Sequence, residues 1–289
     1  MARKKRRRSK RKDNSNFWSV VVIMIAAIWL ISTKGGSDPN GSHFLKQFTG
    51  QSSTSSKIDH AKPATTAYGG LAQKDYDKLA KLDFKSGGDA YITVNANKST
   101  LIKNAWKVNR VIYADLDSLN RTSHSNTAFL EKRNVASGDL RVRQYVEPTA
   151  WHYNHRGKTQ VYNRGHLIAY SVSAGIDQSG NYNPDNQSGD QNNPKNLFTQ
   201  SAFANQKIQT VFESKVRSAL RANKRVIYQA TPIFRGQELM ARGINLQAVA
   251  TDGSLDFNVY LFNVQPGFVF NYQDGRAKVN RELQVNDNG

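Results

Sequence analysis

A chain of 289 residues without cysteine excludes disulfide staples and thiolate metal sites. Its formal charge of +19 favours polyanionic partners such as nucleic acid, anionic lipid or cell-wall polymer. Nine of those charges fall within residues 1–12, which leaves +10 on the rest, so the body is basic too.

Residues 17–32, FWSVVVIMIAAIWLIS, form an uncharged apolar run. As a helix it would be about 24 Å long at ~1.5 Å per residue, slightly short of a ~30 Å hydrocarbon core. Trp18 and Trp29 suit interfacial positions, and the basic segment 1–16 predicts a cytoplasmic N-terminus. The edge Trp29-Leu30-Ile31-Ser32-Thr33 lacks the small-residue pattern of a signal-peptidase site. The expectation is a single-pass signal-anchor in the cell membrane with the remainder outside; the alternative is secretion after cleavage. A nuclear or nucleic-acid-binding arm is disfavoured by the apolar run that follows the basic block. Residues 33–70 are rich in Gly, Ser, Thr and Asn and read as a flexible tether.

From residue 71 the texture changes, and 71–289 reads as one folded domain. YDKLAKL (76–82) suggests a short helical turn, and DAYITVN (89–95) alternates as a strand does. TAFLEKRN (127–134) is ambiguous. LRVRQYVEPTAW (140–151) alternates until Pro148 and predicts another strand. A Gly-, Asn- and Asp-rich loop spans 175–196. A long amphipathic helix is expected from Thr199 to Asn223, with Phe212, Val216, Ala219 and Leu220 inward. RVIYQATPIF (225–234) and LDFNVYLFNV (255–264) read as strands, and FVFNY (268–272) is expected to pair with the latter across QPG. The sum is a mixed α+β fold with mostly antiparallel sheet.

Projected at 100° per residue, Asn205 falls within about 20° of Phe212 and Val216, and Glu213 about 80° from Asn205. An inward amide left unpaired costs roughly 1–3 kcal/mol. A structural network or buried water would satisfy it, and so would an oxygen-lined pocket for a hard cation such as Mg²⁺.

YNRGHL (162–167) places Arg164, Gly165 and His166 beside one another after a strand-like run. Singly, such a histidine or arginine is more often a solvated surface residue. Together with NPKNLFTQSAFANQ (193–206) and ESKVR (213–217), the stretch resembles the DNA/RNA non-specific endonuclease family. That family is built on the ββα-metal, or His-Me finger, motif, and the likeness is particular to membrane-anchored DNA-entry nucleases of Gram-positive bacteria. It extends over most of residues 110–272.

The resemblance implies a role for each matching position. His166 would be the general base, Arg164 would engage phosphate, and Asn205 would ligate the metal directly. Glu213 would hold metal-bound water, and Asn196 would support the site. One position departs: the family's commoner motif is DRGH, whereas this chain has Asn163. The implied reaction is cleavage of DNA, and of RNA as well, with Mg²⁺ (Mn²⁺ able to substitute), leaving 5′-phosphate and 3′-hydroxyl ends. Residue chemistry agrees: neutral imidazole is a competent base near neutral pH, and guanidinium binds phosphate as a planar fork. Gly165 is expected to let the backbone approach a ligand.

Two rivals remain. His152, His155 and His166 form a possible three-histidine zinc site, although no carboxylate accompanies them. A tethered basic receptor for DNA or anionic polymer, without catalysis, would explain the charge equally well.

Overall fold

The computed structural model describes residues 67–287 except 139, 140, 154 and 190. The basic segment, the expected signal-anchor at 17–32 and the tether as far as residue 66 lie outside those residues. Among the described residues no helix is long and apolar enough to cross a membrane.

Helix α1 (Gln73–Ala80) precedes β1 (Tyr91–Thr93), β2 (Arg110–Ile112) and β3 (Asn126–Leu130). Short strands β4 (His155–Arg156) and β5 (Thr159–Gln160) lead into β6 (Tyr162–His166). After a long excursion come β7 (Leu197–Ser201), a π-helical turn over Ala204–Gln209, and helix α2 (Thr210–Arg221). Strands β8 (Val226–Ile233), β9 (Gly243–Ala250), β10 (Asp256–Phe262), β11 (Phe268–Asn271) and β12 (Arg276–Val279) complete the order.

Six strands form one sheet in the order β1-β10-β9-β8-β3-β2, and every neighbouring pair is antiparallel. The fold is therefore mixed, with mostly antiparallel sheet. Alternation sends Val226, Tyr228 and Ala230 of β8 to one face, with Leu246, Ala248 and Val259 from its neighbours. That face packs on Phe212, Val216 and Leu220 of α2.

The opposite face is buried as well, beneath the segment 68–106, and it carries amides. Gln229 Oε1 accepts from the Leu71 N–H at 3.2 Å, and Gln247 Oε1 accepts from the Thr100 N–H at 2.9 Å. Asn245 donates to Asn258 Oδ1 at 2.8 Å. These bonds satisfy polar groups that burial would otherwise penalise. Tyr68 stacks edge-on against Phe129, so the last residues of the expected tether are packed on the body.

Three expectations need correction. Residues 141–150 form no strand; their backbone groups bond to side chains instead, with the Val142 N–H donating to Gln191 Oε1 and the Tyr145 N–H to Asn192 Oδ1. Strand β11 pairs with β12 rather than β10, because β1 and β9 already occupy both edges of β10. The helix begins later than Thr199, since residues 197–201 form β7. The ambiguous 127–134 divides into the end of β3 and a 3₁₀ turn at Lys132–Asn134.

Candidate active site

Strands β6 and β7 form a separate antiparallel pair, in which Asn163 lies opposite Gln200 and His166 opposite Leu197. The chain then turns directly into the helix, so strand, return strand and helix form a ββα unit. Behind β6, Val161 and Tyr162 are buried with Met240, and the Tyr162 hydroxyl donates to the Gly275 carbonyl at 2.8 Å. The apolar residues of β6 thus fix the strand, and its polar residues face a cleft of about 490 Å³. His166, Arg164, Asn163, Asn205 and Glu213 all line that cleft.

Asn196 does not line it. It is 1% exposed and lies behind the turn that follows His166. Its Oδ1 accepts from the Ile168 N–H and its Nδ2 donates to the Ile168 carbonyl, both at 2.9 Å. Its own carbonyl accepts from the Leu167 N–H at 2.9 Å. Asn196 therefore holds the backbone on which the histidine sits.

His166 Nε2 lies 3.1 Å from the Gln191 carbonyl oxygen. The Gln144 side-chain amide lies farther from the same nitrogen, at 3.4 Å. A carbonyl only accepts, so the shorter contact calls for the tautomer with the proton on Nε2, which leaves Nδ1 as the basic nitrogen. Burial lowers the imidazole pKa to about 4; the Gln191 bond opposes this and the Arg141 charge adds to it. The ring is neutral at physiological pH. Burial also pushes the Glu213 carboxyl above its ordinary range, against the Gln209 hydrogen bond and the Arg217 and Arg141 charges.

Arg164 is held in place before any ligand arrives. Its Nε donates to the Val146 carbonyl at 2.5 Å, and its guanidinium stacks 4.2 Å from the Trp151 ring centroid. Arg141 and Arg217 line the same cleft, in which Glu213 is the sole carboxylate among the described residues. The field therefore favours an anion. Asn205 Oδ1 and the Glu213 carboxylate are the oxygen donors available to a hard cation.

The projection that put Asn205 on the core-facing meridian does not hold. Ile208, Phe212, Val216 and Leu220 take that meridian, and Asn205 is half-buried at the cleft. The π turn, with i→i+5 bonding, shifts the phase of residues before Thr210.

At Gly165 a Cβ would fall 2.3 Å from Gln200 Oε1, so the glycine makes room for that side chain. Sequence reasoning missed Gln200 and also Gln209, which is fully buried beside Glu213. Strand register was the signal for Gln200, which lies across from Asn163. The three-histidine zinc reading fails: His152 Nε2 bonds the Asp274 carbonyl at 2.7 Å, and neither His152 nor His155 lines the cleft. Among the described residues no group of three or more His, Cys, Asp or Glu could hold a metal ion.

A histidine ending one strand, an arginine two residues before it and an asparagine in the turn that opens the following helix thus share one cleft. The chain belongs to the DNA/RNA non-specific endonuclease family, which matches residues 99–251. It is similar to NucA from Streptococcus agalactiae, at 26% identity and a TM-score of 0.56, over 72% of this chain and 97% of NucA in the metal-free structure. The magnesium-bound NucA structure gives the same identity and TM-score over 73% and 99%. A deoxyribonuclease of Streptococcus dysgalactiae subsp. equisimilis is 35% identical over 78 residues, which is 26% of this chain and 24% of that protein. The match thus spans about a quarter of that curated relative.

Proposed function

We propose that the protein is a metal-dependent endonuclease that hydrolyses phosphodiester bonds of DNA, and of RNA as well, with little sequence preference. The observation that carries this reading is the pinned imidazole: Nε2 tied to the Gln191 carbonyl, with Nδ1 free to act as base in the cleft shared with Asn205 and Glu213. His166 Nδ1 takes a proton from a water molecule. The water oxygen bonds to phosphorus as the bond to the 3′ oxygen breaks, and the departing 3′ oxygen takes a proton from solvent water, leaving 5′-phosphate and 3′-hydroxyl ends. Arg164, oriented by Trp151 and the Val146 carbonyl, binds a non-bridging oxygen. Asn196 keeps the turn bearing the base in position.

The donor set fits Mg²⁺, with Mn²⁺ able to take its place: one amide oxygen and one carboxylate, all hard ligands, too few to displace most of the ion's water. Asn205 would hold it directly and Glu213 through water. The ion would polarise the phosphate and offset charge on the leaving oxygen. Contacts centred on phosphate give little base preference. A signal-anchor at 17–32 and a tether ending before Tyr68 would place the nuclease domain on the outer face of the membrane; the support is the charge and hydropathy pattern of the sequence.

The test incubates the purified protein with supercoiled plasmid or single-stranded RNA, in Mg²⁺ or in EDTA. Nicking and fragmentation of both in Mg²⁺ and neither in EDTA is expected. Equal cutting in EDTA would remove the metal, and no cutting in Mg²⁺ or Mn²⁺ would remove the catalysis.

A further inference from the structure

The cleft is floored by a run of side-chain amides, each donating to the next. Gln160 Nε2 donates to Asn163 Oδ1 at 2.5 Å, and Asn163 Nδ2 to Asn205 Oδ1 at 2.7 Å. Asn205 Nδ2 donates to Gln200 Oε1, and Gln200 Nε2 to Gln209 Oε1, each at 2.9 Å. Gln209 Nε2 ends the run with two bonds of 2.8 Å, one to the His166 carbonyl and one to Glu213 Oε1.

The direction of this run is fixed from its buried end. A peptide carbonyl can only accept, so the Gln209 side chain must turn its NH₂ toward His166 whatever the protonation state of Glu213. Its oxygen then faces Gln200, which must answer with its own NH₂ and turn its oxygen to Asn205. Asn205 must in turn give Gln200 its NH₂, which leaves its oxygen toward the cleft. Reversing Gln200 or Gln209 would set donor against donor or acceptor against acceptor in a buried place, at roughly 1–3 kcal/mol for each unsatisfied group, and reversing half-buried Asn205 would set its oxygen against the buried oxygen of Gln200. Gln200 and Gln209 are 1% and 0% exposed, so water cannot relieve such an error.

We propose that Gln209 is a positioning residue: acting through Gln200, it sets the Asn205 amide with oxygen rather than nitrogen facing the cleft. A cation accepts only the oxygen, so this setting decides whether Asn205 can be a ligand at all. The same Gln209 amide ties that ligand to the backbone of the base and to Glu213. The proposal rests on the metal reading given above.

The test measures Mn²⁺ binding calorimetrically on full-length protein free of nucleic acid, with Gln209→Leu, Gln209→Met, Gln200→Leu and the Gln209→Leu/Gln200→Leu double variant. Melting temperatures are taken alongside. Each single variant should bind Mn²⁺ at least about fivefold more weakly. The double variant should fall within about twofold of either single one, because both cut the same chain. Gln73→Ala, on helix α1 and outside the cleft, should leave Mn²⁺ affinity unchanged. Unchanged affinity in folded Gln209 variants would overturn the proposal, as would losses that add in the double variant. Failure of both Gln209 variants to fold would assign the residue a structural role instead. If the wild-type chain binds no Mn²⁺, the metal reading itself fails, a result distinct from the others.

Discussion

Asn163 donates its side-chain amide to Oδ1 of Asn205 at 2.7 Å, where the resembling family more often has an aspartate. In this chain the atom best placed to ligate a cation is already bonded to a neutral donor. An aspartate at 163 would set oxygen against oxygen when no cation is bound and add a negative charge beside one that is. Asn163→Asp should therefore lower the Mg²⁺ concentration for half-maximal cleavage by about tenfold, equivalent to about 1.4 kcal/mol. It should also lower the melting temperature in EDTA. Titration of activity against Mg²⁺ together with thermal melts checks both, and an unchanged half-saturation would show that Asn163 only shapes the loop.

The half-buried, desolvated imidazole gives a pH signature. A base must be neutral to act, and lowering its pKa extends the neutral form toward acid. With His166 at about 4, its own titration should produce no loss of kcat/KM between pH 8 and about 5.5. An ordinary histidine would impose a tenfold fall per pH unit below 6.5. A pH profile at saturating Mg²⁺ reads the difference; a limb centred near 6.5 that disappears in His166→Gly would mean the ring is not desolvated as described.

Asn196 acts at one remove. Asn196→Asp keeps the acceptor for the Ile168 N–H but loses the donor to the Ile168 carbonyl. The substitution should cost about 1–3 kcal/mol of stability and lower kcat more than it raises KM. Denaturant melts and steady-state kinetics test this; a purely structural clamp would lower stability with kcat intact.

Trp151 should matter through Arg164. Trp151→Leu removes a stacking contact of about 1–2 kcal/mol and frees the guanidinium to move. KM for DNA should rise several-fold with a smaller change in kcat. Arg164→Lys should do at least as much, since lysine keeps the charge but neither stacks nor forks. Equal kinetics for wild type and Trp151→Leu would mean that the stacking does not orient the arginine.

What the sequence made legible follows a physical pattern. Strands β8 and β10 could be read because one face of each is continuously apolar. Strand β9 escaped notice because its alternate positions, Asn245 and Gln247, are polar yet buried: Asn245 donates to Asn258 of β10, and Gln247 donates to Asn245 and accepts from the Thr100 N–H. The motif residues were found by their order along the chain. Their support was not: Gln209 matters through its bond to the His166 carbonyl and Gln191 through its own carbonyl against the His166 ring, long-range bonds that leave no periodicity to detect. The π turn defeated the helical projection, since a phase shift near Asn205 cannot be inferred from hydropathy.

The central claim is that the His166 imidazole removes the proton from the attacking water. Its most direct test is cleavage of supercoiled plasmid by His166→Gly in Mg²⁺, with and without added imidazole. The expected result is a rate loss of about 10²–10⁴-fold, partly restored by free imidazole in proportion to its neutral form. Cleavage by His166→Gly at the wild-type rate would contradict the account.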